Sequence, residues 1–551
     1  MITSKYINKI VALFMGLAVV LSFGLVVLAS MKLDESGSGR TAVYETALFD
    51  TTKLIEINII MDGDKWNDML QNAADKKWQK CDVIVNGTRF ANVGIRTKGA
   101  NSLEEILNNP DSNRYSFKIE FDKYNEGQKC FGLDKLCLNN NFGDPSNMKE
   151  AMVYDMFHFM DAEAPFYNYA KISINGEYWG QYLALEAVED SFLARNYGNE
   201  RGSLYKPGSS SEKESVSQMD EWMEEDMENW SDDGQVEEDY GGSLNYFSDE
   251  LSDYQVIFDG AKTKTSDADK KRVIKALKNI NQKTDIESYM EIDNVLKYMA
   301  VQNFSVNYDS LLGDGGQNYY LYESRGKLSL IPWDYNLCFG AYSPDKLLAT
   351  NPEGLSATEI INKSIDDSWL STTFFDGILE NEEYRNRYHE YYRKLIDEYV
   401  LGNGFESFYR RTRNLTDSNV KTDPNALYDY QTYDAAARMF RQMVLLRGQS
   451  VKGQLNGSIP SFLTEQNENK ETLIDGSSIN MILLNGSDGS EYMEEEWDEE
   501  DWQKQFAEYA ANVKAERNRN KLKSGIILCA LLLSMVVATG VLFRRKRYRV
   551  M

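Results

Sequence analysis

Two aspartates, Asp309 and Asp334, fall within the stretch NFSVNYDSLLGDGGQNYYLYESRGKLSLIPWDYNLCFG, residues 303–340. It opens as a helix ends, passes through a Gly-rich loop and continues as a strand over 319–322, a turn at Arg325-Gly326 and a strand over 328–331. Asp309 therefore sits in the loop after a helix, and Asp334 just past a strand that pairs back on its predecessor. A helix-loop-hairpin of this kind can bring two carboxylates to one cleft. Oxygen ligands there suit a hard divalent cation, Mg2+ or Mn2+. Taken singly, each residue also reads as a helix cap or a turn aspartate. The pairing, with Pro332-Trp333 ahead of Asp334, favours a site.

Other common chemistries lack their residues. His158 and His389 are the only histidines, which leaves little room for a His-based triad or metal centre, and none of the five cysteines forms a CxxC pair. Cations to balance an anionic ligand come from the first half of the chain, as Arg96, Lys98 and Lys118. Arg96 and Lys98 lie between Gly94 and Gly99, where a glycine-containing turn lets the chain approach a phosphate. Lys118 alternates with Phe117 and Ile119 on a predicted strand, and a solvent-facing lysine on a half-buried strand is an equally good account of it.

The elements that must carry these residues divide into two compositional halves. Alternating runs over 54–60, 81–86, 115–121, 171–174 and 182–185 predict strands, with Asn175-Gly176 as a two-residue hairpin turn. One helix interrupts them, starting at Asp144-Pro145-Ser146 and carrying Glu150, with Met148, Met152, Met156 and Phe159 on one face. Helical periodicity takes over in the second half, over 268–280, 286–304 and 383–399. An α+β fold is expected, an antiparallel sheet with a packed helix followed by a mainly helical lobe.

The 551-residue chain carries a net charge of −26 and a pI near 4.7, which repels nucleic acid and excludes it as a partner class. Residues 10–30 form an apolar run of membrane-spanning length after a short N-terminal segment, 1–9, that carries Lys5 and Lys9. A second run, 525–543, precedes a basic tail, 544–551. Both ends read as transmembrane helices. The first is taken as a retained signal anchor, although Val27-Leu28-Ala29 offers a cleavage site. The positive-inside bias of Lys5 and Lys9 puts both termini in the cytoplasm and the central domain outside, although 514–523 carries as much positive charge as the tail. The globular domain is expected over 48–460, interrupted by an acidic, unpacked insertion at 208–250, and an acidic stalk over 461–523 leads to the second span.

Ile331-Pro332-Trp333-Asp334-Tyr335, together with Asn307-Tyr308-Asp309-Ser310 and Asn318-Tyr319-Tyr320-Leu321-Tyr322, resembles the signature of the CotH (spore coat protein H) family of atypical protein kinases. Val93-Gly94-Ile95-Arg96-Thr97-Lys98-Gly99, Leu138-Asn139-Asn140, Asp144-Pro145-Ser146-Asn147-Met148-Lys149-Glu150, Ile174-Asn175-Gly176-Glu177 and Gly202-Ser203-Leu204-Tyr205-Lys206 agree in order. The resemblance spans roughly 55–460. It implies a kinase-like bilobal fold and transfer of the ATP γ-phosphoryl group to Ser or Thr hydroxyls of a protein acceptor, with basic or Ser-rich acceptors the first to consider. Kinases place an acceptor-orienting aspartate and then a metal-binding one in this order, so Asp309 takes the catalytic role and Asp334 the metal, with Asn318 as a second metal ligand. In the same comparison Lys118 and Glu150 correspond to the phosphate lysine and its helical glutamate and are expected to form an ion pair. Trp333 is a candidate to stack on adenine, although aromatics at this density are also core material. The usual HRD histidine and the Phe-Gly after the metal aspartate are missing, so ordinary kinase regulation does not carry over. Two other readings stay open: a catalytically silent adhesion or scaffold protein, and a phosphotransferase acting on cell-envelope polymer.

Overall fold

The computed structural model describes residues 42–198, 202–208, 241–313, 316–342, 356–369 and 372–486. The first half builds seven strands, β1 (Ile55–Ile60), β2 (Gln79–Val85), β3 (Thr88–Lys98), β4 (Ser116–Glu120), β5 (Lys135–Asn139), β6 (Tyr167–Ile174) and β7 (Glu177–Glu186). Their order is β1-β2-β3-β4-β5-β7-β6, and the sheet closes into a barrel. Every pairing is antiparallel except β1 with β6, the parallel seam that closes it. The expected antiparallel sheet is thus corrected to a barrel, which leaves no open edge.

Alternation fixes the faces. Ile57, Ile59, Val83, Val85, Val93, Ile95, Phe117, Ile119, Leu136 and Leu138 point inward and are buried in one core. Burial of each such side chain is worth roughly 1.5–3 kcal/mol. Arg96, Lys118 and Cys137 lie side by side in register on the opposite face, as Lys98 and Ser116 do one step along. At the predicted hairpin, Asn175 and Gly176 both take positive φ, 52° and 90°, and the Asn175 side chain exchanges hydrogen bonds with the backbone of Met61.

The long helices are α1 (Lys149–Phe159), α2 (Asp267–Asn281), α3 (Ile292–Ser305), α4 (Glu382–Lys394), α5 (Gly404–Val420) and α6 (Tyr430–Asn456). A second sheet, β8 (Ser203–Tyr205), β9 (Tyr319–Ser324) and β10 (Lys327–Pro332), lies against α3 in the order β10-β9-β8. Asn294 of α3 accepts from Leu330 N at 2.8 Å and donates to its carbonyl at 3.1 Å, so the helix sets the height of β10. The barrel is riveted to the helices by Arg114, which pairs with Asp423 at 2.8 Å and donates to the carbonyls of Asn140 and Asn425 at 3.1 Å each. Both partners of that ion pair are almost fully buried, 3% and 2% exposed.

Two boundaries move. The expected insertion, 208–250, is packed from Gly241 onward: Leu244 is fully buried and the Gly242 carbonyl accepts from the Tyr319 hydroxyl at 2.6 Å. Residues 209–240 lie outside the described part. Of the expected stalk, 461–523, residues 461–486 are packed against the domain, with Ile479 and Leu484 buried and Gln442 of α6 donating to Ser478 at 2.8 Å, and residues 487–523 lie outside the described part. The polar composition of that stretch masked its few apolar anchors. Among the described residues no helix is long and apolar enough to cross a membrane. Both expected spans, 10–30 and 525–543, lie outside them.

Candidate active site

The cleft between the barrel and the helices begins with the end of α3. Val306 takes a left-handed φ of 45°, unusual for a β-branched residue, and this turns the chain out of the helix into Asn307. Asn307 is fully buried. Its Oδ1 accepts from Asp309 N at 3.2 Å and its Nδ2 donates to the Asp334 carbonyl at 3.2 Å, so one carboxamide ties the two aspartate loops together. Gln302 of α3 supports it from below, donating to the Asn307 carbonyl at 3.1 Å and accepting from the Tyr335 hydroxyl at 2.6 Å.

Asp309 is 7% exposed. Its Oδ1 accepts from Gln317 at 2.6 Å and its carbonyl from Asn318 Nδ2 at 2.8 Å. Burial, reinforced by the nearby Asp334 charge, pushes its carboxyl up to about 7. Asp334 follows β10 with φ of 63°, and its N–H donates to the Tyr154 hydroxyl at 3.2 Å. Tyr154 in turn donates to Glu150 at 3.4 Å, both residues lying on α1. Burial and the Asp334 charge raise the Glu150 carboxyl, against the opposing influence of Asn139 and Lys98.

Lys98 at the end of β3 donates to Asn139 Oδ1 at 2.5 Å, and Asn139 Nδ2 donates to Glu150 at 2.8 Å. The cation linked to Glu150 is therefore Lys98, through a carboxamide. The expected Lys118–Glu150 ion pair does not form. Lys118 and Lys135 both bind Glu189, and although burial pushes the Glu189 carboxyl up, the two ammonium groups hold it down at about 2. Lys98, Glu150, Asp309, Asn318 and Asp334 line one cleft, with Asn139, Gln317 and Asn336 among its other walls. Arg96, Lys118 and Trp333 do not line it. Arg96 lies 5.0 Å from the Trp78 ring on the barrel's outer face. Trp333 is 4% exposed and meets Tyr320 edge-on at 5.5 Å, a buried position.

Lys206 is a residue the sequence offered only as part of a motif block. It follows β8, its Nζ is 5.5 Å from the Trp333 ring, and burial pushes its ammonium down to about 8 against the pull of Asp334. A strand only three residues long carries no periodic signal that could have marked it.

The donor set suits a hard cation. Asp334 and Asn318 sit at left-handed positions, φ 63° and 58°, and with Asn318 Nδ2 donating to the Asp309 carbonyl, its Oδ1 is the atom that would ligate a cation. Among the described residues no group of three His, Cys, Asp or Glu side chains could enclose a metal by itself. An ion completed by phosphate oxygens and water is the arrangement magnesium commonly takes.

The family model described as CotH kinase protein matches residues 95–451. The chain is also similar to the inner spore coat protein H of Bacillus subtilis (strain 168), 23% identical over 361 residues, covering 63% of this chain and 84% of that protein. The family match takes in well over half of the sequence and every residue found lining the cleft, and on that ground the chain belongs to the CotH kinase protein family.

Proposed function

We propose that this cleft transfers the γ-phosphoryl group of ATP to a Ser or Thr hydroxyl of a protein, as a membrane-anchored CotH-like kinase. The observation that carries the reading is Asn307 holding Asp309 and Asp334 on one cleft opposite the Lys98–Asn139–Glu150 chain. Asp309 orients the acceptor hydroxyl and accepts its proton as the new O–P bond forms and the bond from the γ-phosphorus to the bridging oxygen breaks, ADP leaving with that electron pair, and a carboxyl near 7 is well matched to that task. Asp334 and the Asn318 Oδ1 would hold Mg2+ or Mn2+, which neutralises charge on the phosphates when bound. Lys98, fixed by Asn139, presents its ammonium to the phosphate oxygens, and Lys206 adds a second positive charge near Asp334. The reading of a spore-coat or cell-surface location follows the relative's name and the two apolar runs.

Thermal unfolding of the full chain in detergent tests the metal assignment. ATP should raise the Tm only with magnesium or manganese present, and Asp334→Asn should remove that dependence. An Asp334→Asn protein that gains as much Tm from metal-ATP as the parent would show that Asp334 is not the ligand.

A further inference from the structure

The C-terminal segment reaches the back of this cleft. After α6 the chain runs along the helical half, exchanging hydrogen bonds between Ile474 and Asn362 at 2.8 and 3.0 Å, and ends in the short helix Met481–Asn485. Asn485 is fully buried. Its Oδ1 accepts from Lys149 Nζ at 3.1 Å, and its Nδ2 reaches the Gly340 carbonyl at 3.5 Å.

Each of those partners leads to a cleft residue. Lys149, itself fully buried, is the first residue of α1 and the neighbour of Glu150; its N–H donates to Asp144 at 2.8 Å and its ammonium also donates to the Gly143 carbonyl at 3.2 Å. Gly143 closes the loop whose Asn140, Asn141 and Phe142 line the cleft. Gly340 ends the loop that starts at Asp334 and is pinned to Val306, the turn that launches Asp309, at 3.3 Å. A buried ammonium needs oxygen partners, and one of the few available here comes from a segment outside the family match.

We infer that Asn485 is a positioning residue, which through Lys149 and Gly340 holds the Glu150 helix and the Asp334 loop in register across the cleft. The inference rests on the phosphotransfer reading for its effect on rate, and on geometry alone for its effect on order. It also extends the segment that supports the site as far as 486.

The test uses the full chain and four proteins: parent, Asn485→Leu, Asn485→Asp and the double variant Asn485→Leu/Lys149→Met. Asn485→Leu keeps the number and branching of side-chain heavy atoms but removes both the oxygen and the Nδ2 donor, and should lower kcat for phosphotransfer by about tenfold or more while changing the KM for ATP less than about threefold. Asn485→Asp keeps the acceptor for Lys149 but loses the donor to Gly340, so its kcat should fall between those of the parent and Asn485→Leu. The double variant removes the ammonium together with its Asn485 acceptor but leaves the buried Asp144 carboxyl without its cation, so its Tm should stay below the parent's and its kcat should stay low. Recovery of kcat in the double variant, or an unchanged kcat in Asn485→Leu, would overturn the positioning role. Amide exchange over 149–153 and 334–340 is read in parallel, and should quicken about tenfold in both Leu variants. If the parent transfers no phosphate, the phosphotransfer reading falls and the exchange result alone decides this one, with unchanged exchange overturning it.

Discussion

Asp309 carries the clearest electrostatic signature of any residue in the cleft, a carboxyl raised from an ordinary value of 3.8 to about 7 by burial first and by Asp334 second. A raised acid holds its proton more tightly in the folded chain than in the unfolded one. Its contribution to stability is therefore full below about pH 4 and lost as pH rises through about 7. Asp309→Asn removes that titration, so without divalent cation the variant's Tm advantage over the parent should grow from about pH 5 to about pH 8 and then level off. A difference that stays flat over that range would mean the carboxyl is not held protonated. The lysines make a second prediction. Lys98→Ala should weaken metal-ATP binding and slow transfer by about 100-fold, whereas Lys118→Ala, whose ammonium serves Glu189, should lower Tm with transfer rate changed only a few-fold. Equilibrium nucleotide binding by both variants decides between them, and the reverse pattern would restore Lys118 to the phosphates. Asp309 and Asp334 were legible in the sequence because both lie in one short stretch with its own turn signals. Lys98 was not preferred to Lys118, because the glycines beside it read as a phosphate-approaching turn; the structure corrects this to strand β3, which runs through Arg96 and Lys98, and its register with β4 and β5 brings Lys98 to Asn139. Asn307 carries no signal of its role in the sequence, since a buried carboxamide has neither charge nor periodicity to announce it.

At the scale of elements, strands β1, β2, β4, β6, β7, β9 and β10, the Asn175-Gly176 hairpin and helices α1 to α4 follow from alternation, turn chemistry and 3.6-residue periodicity, whereas β3, β5 and β8 carry too little alternation to be marked. Barrel closure does not follow either, because an alternating strand looks the same whether its neighbour is β2 or β6. Nor does Arg114 stand out, an arginine in a loop that reads as solvent-exposed until Asp423 appears beside it from the far half of the chain. The pair lies next to Asn140, whose loop forms a wall of the cleft. Breaking a buried pair strands the remaining charge, so Arg114→Met should cost roughly 3–5 kcal/mol. Denaturant unfolding of the parent, Arg114→Met and the double variant Arg114→Met/Asp423→Leu measures it. The double variant should recover much of the loss, and an Arg114→Met chain as stable as the parent would remove the rivet from the account.

On the whole-molecule scale, a net charge of −26 gives the protein a long-range preference for basic partners, which agrees with a basic protein acceptor and disfavours nucleic acid. The proposed phosphotransfer rests on the family relationship and on the carboxylate pair in the cleft, and the division of labour between the two aspartates is the claim on which that account depends. Single-turnover transfer from labelled ATP by the full chain with magnesium or manganese, to itself or to a basic Ser-rich acceptor, tests it most directly when paired with equilibrium nucleotide binding. An aspartate that acts on the acceptor hydroxyl contributes in the transition state, so Asp309→Ala should slow transfer by about 10²–10⁴-fold and leave the Kd for metal-ATP within about threefold. Asp334→Asn should lose metal-dependent binding and transfer together. Transfer that survives Asp309→Ala, or a parent protein that neither binds metal-ATP nor moves phosphate, would contradict the account.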